Sequence, residues 1–137
     1  MRGLLNFAQA LETHARLSPD KIGASDLERE MSFRLWNERA DRLANALLGL
    51  GLKKGDRVAV LAYNCVEWCE IYAAAAKAGL VAVPINFRLV AVEAWFIIED
   101  AECAALIVQD ELASLVEEIG AQLSIPESRR VHFGKRA

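Results

Sequence analysis

Apolar residues fall at helical spacing near the start of the chain. Leu4, Phe7, Ala8, Leu11 and Ala15 share one face, which predicts an amphipathic helix over 4–17, stopped by Ser18-Pro19-Asp20. Ile22 to Ala24 and Glu30 to Phe33 flank a turn rich in Asp, Glu and Arg and predict a short hairpin. Ser32 then stands where an N-cap belongs. Leu35, Trp36, Ala40, Leu43, Ala44 and Leu47 line one face of a helix that runs to about Leu48 and ends at Gly49 and Gly51.

Beyond that point the pattern becomes regular. Short apolar runs begin near Val58, Val81 and Ala105, 23 and 24 residues apart, with a helix-period segment between each pair. Strand, helix and strand at this interval form a βαβ unit, whose crossover makes neighbouring strands parallel and right-handed in connection. The run Arg57 to Ala62 is continuous rather than alternating, as expected of a strand covered on both faces. The helix expected over Cys65 to Ala78 is apolar nearly all round, with Glu67, Glu70 and Lys77 as a narrow polar stripe. Leu89 to Glu99 and Glu111 to Leu123 predict two further helices, and Arg129 to Phe133 a fourth strand. The expectation is therefore an α/β fold: βαβ units forming a parallel sheet flanked by helices.

Composition narrows the function. The 137 residues are 54% apolar, and exchanging the 2 Tyr for the 8 Gly to match the usual apolar set only raises that figure, against roughly 45–50% in ordinary globular chains. The excess suggests apolar surface meant for a partner, either a separate polypeptide or a second copy of the chain. Sixteen basic against nineteen acidic residues leave a net charge of -3, and the scattered basic residues give no footing for a nucleic-acid backbone. No secretory signal is evident, because Glu12, Thr13 and His14 interrupt the opening segment. The apolar stretch Leu80 to Ile98 is broken by Pro84, Asn86, Arg88 and Glu93, so no transmembrane span is expected. Three cysteines, Cys65, Cys69 and Cys103, fit reduced thiols in the cytoplasm.

In a parallel sheet the carboxyl ends of the strands open onto one rim, where ligands gather. The pattern places Tyr63 and Asn64 there after the first strand, Pro84, Ile85, Asn86 and Arg88 after the second, and Asp110 after the third. Asn64 also has the position of a cap for the next helix. Arg88 and Asn86 are the candidate binding residues: a guanidinium on such a loop grips phosphate or carboxylate with two bonds, or else bridges to a helix terminus. Gly49 to Gly55 closes a helix and leads into a strand, the reverse of a dinucleotide loop, and no Walker-type sequence occurs. Cys65 and Cys69 share a helix face at metal-ligand spacing, but His14 and His132 lie at opposite ends of the chain, so core thiols are favoured and no metal site is expected. Trp36, Trp68 and Trp95 read as packing residues, Glu117-Glu118 as a solvated pair, and Cys103 lacks a neighbouring histidine to activate it. No catalytic residue is assigned.

Several segments together resemble the AMP-forming ligases, the superfamily of acyl- and aryl-CoA synthetases, luciferases and adenylation domains. Met31 to Trp36 with Asn37 to Ala44 is similar to its first core motif and the helix that follows; Lys53 to Val60 resembles the next segment. Tyr63 to Trp68 matches its Asn, two residues, Glu, aromatic pattern, and Ala76 to Asn86 with Arg88-Leu89 resembles its second core motif. The resemblance covers about residues 4–120 and implies the first subdomain of the family's large N-terminal domain. It also implies a two-step chemistry: a carboxylate attacks the α-phosphate of ATP to give an acyl-adenylate and pyrophosphate, and the thiol of coenzyme A then displaces AMP. ATP, Mg²⁺ and coenzyme A are implied for the complete enzyme. In relatives the phosphate loop, the acidic Mg²⁺ residues, the hinge and the C-terminal lysine lie beyond the matched part, so no cofactor is expected to bind this chain alone. By the same resemblance Arg88 lies in a loop that meets the phosphates of coenzyme A.

Val90 departs from the family's usual Thr or Ser cap, at a cost of about 1 kcal/mol. Residues 1–137 are expected to be a partial AMP-binding domain truncated before the phosphate loop: the opening portion of a fatty- or aromatic-acid CoA ligase, inactive by itself. The alternatives are a non-catalytic interaction module or one half of a split ligase, with a phospho-receiver-like module ranked last because Asp110 is the rim's lone acid.

Overall fold

The computed structural model describes residues 5–134, in two compact units. The first contains the chain up to Lys54 together with 64–80; the second contains 55–63 and the chain from Val81 onward.

In the first unit, helix α1 (Phe7–Leu17) is followed by strands β1 (Ile22–Ser25) and β2 (Glu30–Ser32), then helix α2 (Phe33–Gly49) and, further on, helix α3 (Glu67–Ala78). The expected first residue of α1, Leu4, lies outside the described residues. The helix starts at Phe7 because Asn6 caps it: Asn6 Oδ1 accepts the Gln9 amide at 2.9 Å and Gln9 Oε1 accepts the Asn6 amide at 3.0 Å. This reciprocal pair satisfies two amides that the first helical turn leaves without partners. β1 and β2 pair antiparallel with an irregularity between Ile22 and Ala24, as the hairpin pattern predicted. Ser32 caps α2, its Oγ accepting the Leu35 amide at 3.1 Å. Leu11, Ala24, Met31, Trp36, Ala40, Val66 and Ala73 form one buried apolar cluster of this unit.

Polar clamps add to that cluster. The Trp36 indole donates to the Cys69 carbonyl at 2.8 Å, and Arg39 meets Glu70 at 2.8 Å. Lys77, whose side chain is 7% exposed, lies 2.8 Å from Asp41 and 3.0 Å from Glu12, so three helices converge on one ammonium. Burial pulls the Lys77 pKa down, but the carboxylates of Asp41 and Glu12 outweigh it and hold the pKa above its ordinary value.

The start of α3 departs from the sequence reading. Asn64 does not cap it; the helix begins at Glu67, Val66 holds the N-cap position and has no capping side chain. The Val66 amide instead donates to Asp26 Oδ2 at 2.9 Å, a partner forty residues upstream. Asp26 also accepts the Glu28 and Arg29 amides at 2.9 and 2.8 Å, and Arg29 bridges to Glu67 at 2.6 Å. The chain thus borrows its cap from the hairpin turn. At the other end, Gly79 takes φ +70 and lets the Leu80 amide return to the Ala75 carbonyl at 2.8 Å.

The second unit holds a four-stranded sheet of β3 (Arg57–Leu61), β4 (Val81–Ile85), β5 (Ala105–Gln109) and β6 (Arg130–Phe133), in the order β4-β3-β5-β6. Every neighbouring pair is parallel, as the repeat predicted. Helix α4 (Ala91–Asp100) and the short helix α5 (Ala113–Ile119) belong to this unit. Leu61, Ile85, Leu106 and Val108 are buried with Ala94, Ile98, Val116 and Ile119 in its core. Val58, Val60, Ala105 and Ile107, which point the other way, are buried as well, so the inner strands are covered on both faces.

Two expected boundaries are corrected. Pro84 and Ile85 do not follow the second strand; they are its last two residues. The Val81 amide bonds back to the Asp56 carbonyl at 2.9 Å, so Val81, Val83 and Ile85 turn their polar groups toward β3, and Ala82 and Pro84 turn theirs away. Since β4 is an edge strand, Pro84 removes no ladder bond. The helix expected over Glu111 to Leu123 is only seven residues, after a 3-10 turn over Asp110–Leu112. It ends at Gly120, and the chain then carries Leu123 and Ile125 into the core. Arg130 donates to the Gly120 carbonyl at 2.9 Å and to the Ile125 carbonyl at 2.7 Å, supplying partners that the ended helix no longer offers.

Two measurements check this account. The amides of Glu28 and Val66 hold the Asp26 carboxyl well below the usual range. That stabilisation is present above the unfolded pKa of about 4 and is lost as pH falls through the folded value. Urea denaturation should therefore find Asp26→Asn less stable than the parent at pH 7, with the gap closing below about pH 4. Val90, 60% exposed, precedes α4 without a capping side chain, while Glu93 still accepts its amide at 3.2 Å. Val90→Thr keeps the volume and supplies the acceptor, and should raise stability by about 1 kcal/mol in the same assay.

Candidate functional site

The C-terminal rim of the sheet in the second unit gathers the groups with the most chemical potential. After β4 the chain makes a tight turn built by Asn86. Its side-chain Oδ1 accepts the Arg88 amide at 3.0 Å, and its carbonyl accepts the Leu89 amide at 3.1 Å. An Asx turn of this kind fixes the backbone before α4 begins. The structure thus places Asn86 and Arg88 together, with the Asn86 side chain engaged on the backbone and the Arg88 side chain exposed. Among the described residues no carboxylate pairs with the Arg88 guanidinium, whose central carbon lies 5.8 Å from the centre of the Phe87 ring.

Tyr63 reaches the same rim from β3. Its amide donates to Gln109 Oε1 at 2.8 Å, and its ring meets Phe87 edge-on, 4.9 Å between centres and 70° between planes. Asp110 follows β5 and faces His132 on β6, Oδ1 to Nδ1 at 3.7 Å. Phe87, Gln109 and His132 were not singled out from the sequence. Phe87 stands between Asn86 and Arg88 with no motif of its own, and Gln109 ends a strand without a motif. His132 could have been found: the spacing that predicts the fourth strand sets it beside the end of the third.

The other candidates separate from this rim. Asn64 is exposed near the start of α3, in the other unit. Cys65 and Cys69 are half-buried and Cys103 is buried. Burial, reinforced by the Glu67 carboxylate, pushes the Cys65 thiol up to about 11, and burial raises Cys69 and Cys103 also. Among the described residues no three His, Cys, Asp or Glu side chains gather so as to hold a metal ion, and no helix is long and apolar enough to cross a membrane. Trp36 is buried, and the Trp95 indole donates to the Gln122 carbonyl at 3.3 Å; both pack, as read from the sequence. Glu117 and Glu118 are exposed.

A parallel sheet with an exposed arginine and an aromatic pair at its carboxyl rim has the layout of a ligand-binding α/β domain. The chain belongs to the AMP-binding enzyme family, whose sequence profile matches residues 11–134. A long-chain-fatty-acid–CoA ligase of Mycobacterium tuberculosis, FadD13, is 44% identical over 96 residues, covering 70% of this chain and 19% of the relative. The fatty acid–acyl-carrier-protein ligase ScoC of Streptomyces coeruleorubidus is 33% identical over 118 residues, 86% of this chain and 23% of that protein. Among solved structures, the anthranilate CoA ligase AuaEII in complex with anthranoyl-AMP superposes with a TM-score of 0.87 at 31% identity, over 94% of this chain and 25% of that one. The chain therefore spans about a fifth of the length of the curated relatives it matches.

The thiols give the testable consequence here. A nucleophilic cysteine is one whose thiolate is accessible, and all three are shifted the opposite way. Iodoacetamide at pH 7.5 should alkylate the native chain far more slowly than the urea-unfolded chain, with all three sites modified only after unfolding, as read by intact mass.

Proposed function

We propose that residues 1–137 form the opening portion of the large N-terminal domain of an AMP-forming carboxylate–CoA ligase acting on a fatty or aromatic acid. The observation that carries this reading is the parallel sheet and its flanking helices, which superpose on an acyl-CoA-forming relative at a TM-score of 0.87. In the complete enzyme ATP, Mg²⁺ and coenzyme A are the cofactors, and adenylate formation depends on segments outside this stretch. Such a stretch supplies scaffold and one flank of the coenzyme site, and its partner is the remainder of the ligase. Three unpaired thiols suit a reducing compartment, and we place the enzyme in the cytoplasm.

Arg88 is the residue of this stretch we assign to a ligand. An exposed guanidinium with no carboxylate partner among the described residues is suited to a phosphate, which it can hold by two parallel hydrogen bonds. Coenzyme A carries three phosphates, and we assign Arg88 to one of them. Asn86 serves the same contact by shaping the turn.

The purified chain should give no ATP–pyrophosphate exchange with a panel of fatty and aromatic acids. Co-expression with a polypeptide carrying the rest of the ligase should restore exchange and copurify. Robust exchange by the chain alone overturns the division of labour, whereas failure of any partner to copurify favours an independent interaction module.

A further inference from the structure

Arg88 is a long side chain on an exposed turn, and such a side chain loses much rotamer freedom when it grips a ligand. Three observations bear on that freedom. The Asn86 turn fixes the backbone at Arg88. The guanidinium carbon lies within cation–π range of Phe87, 5.8 Å from the ring centre. Phe87 itself is anchored, half-buried against the core of the second unit and held edge-on by Tyr63 at 4.9 Å.

We propose that Phe87 is a positioning residue: anchored by Tyr63, it offers its ring face to Arg88 and presents the guanidinium, already ordered, to a phosphate of the bound coenzyme. This rests on the assignment of Arg88 to that phosphate and adds the element that prepares it. Phe87 does not touch the ligand in this scheme. It acts on affinity by lowering the ordering cost at Arg88, and any ring with a comparable π face can replace it.

The complete ligase, assembled by co-expressing this chain with a polypeptide carrying the rest of the enzyme and titrated calorimetrically with coenzyme A, tests the idea. Arg88→Gln should weaken binding about tenfold, the worth of a charge-assisted bond. Phe87→Leu, which keeps apolar bulk, should weaken it about two- to fivefold, and Phe87→Trp should retain the parental affinity. Phe87→Leu on the Arg88→Gln background should add nothing. In the absence of coenzyme, the Arg88 side-chain protons should show an upfield ring-current shift by NMR that disappears in Phe87→Leu, with the thermal midpoint of each variant establishing that it is folded. If Arg88→Gln binds like the parent, or if the parent does not bind, the phosphate assignment falls. If Arg88→Gln weakens binding while folded Phe87→Leu does not, or if Arg88 shows no ring-current shift, the positioning role falls and the assignment stands.

Discussion

Parallel pairing is the constraint from which the second unit follows. Two parallel strands cannot be joined by a tight turn, so after each strand the chain must travel back before it can pair again. That return consumes about two dozen residues here and sets the spacing of β3, β4, β5 and β6. It also puts every strand end of one polarity on the same rim, and this alone brings Tyr63, Arg88, Asp110 and His132 to one edge although they lie far apart in sequence. Burial on both faces of the inner strands then demands the continuous apolar runs that β3 and β5 carry.

The first unit depends on longer-range polar bonds. α3 has no cap of its own, and the Asp26 carboxylate fills that place from the hairpin turn. Lys77 draws α1, α2 and α3 together through two carboxylates. In both cases a charged group with low exposure is tolerated because opposite charges or amide donors meet it.

Local rules made most elements legible. The Ser32 cap, the hairpin, the glycine stop after α2 and all four strands of the larger sheet are written in spacing and residue type over a few positions. What failed was non-local. Asn64 satisfied the local rule for a cap, and a side chain forty residues away took the role. Glu111 to Leu123 kept helical periodicity, but the carbonyls at Gly120 and Ile125 found a better donor in Arg130, which no local pattern foretells. The sequence pattern sets Pro84 after the second strand, because its tolerance inside an edge strand depends on strand order. The rim was legible only in part for the same reason. Arg88 and Asn86 stand out by type and position, whereas Phe87 takes on meaning only beside Tyr63, and His132 only beside Asp110.

Pro84 has a consequence for how the sheet meets other chains. The outward side of β4 presents donors at alternate residues, and the proline leaves Ala82 as the one remaining donor of that pair. A newcomer seeking backbone partners finds that flank half-disarmed, while the opposite flank, β6, contains no proline and keeps its amides. Recruitment of additional strands is thereby biased to a single side, both when further polypeptide docks onto this sheet and when crowded copies begin to associate.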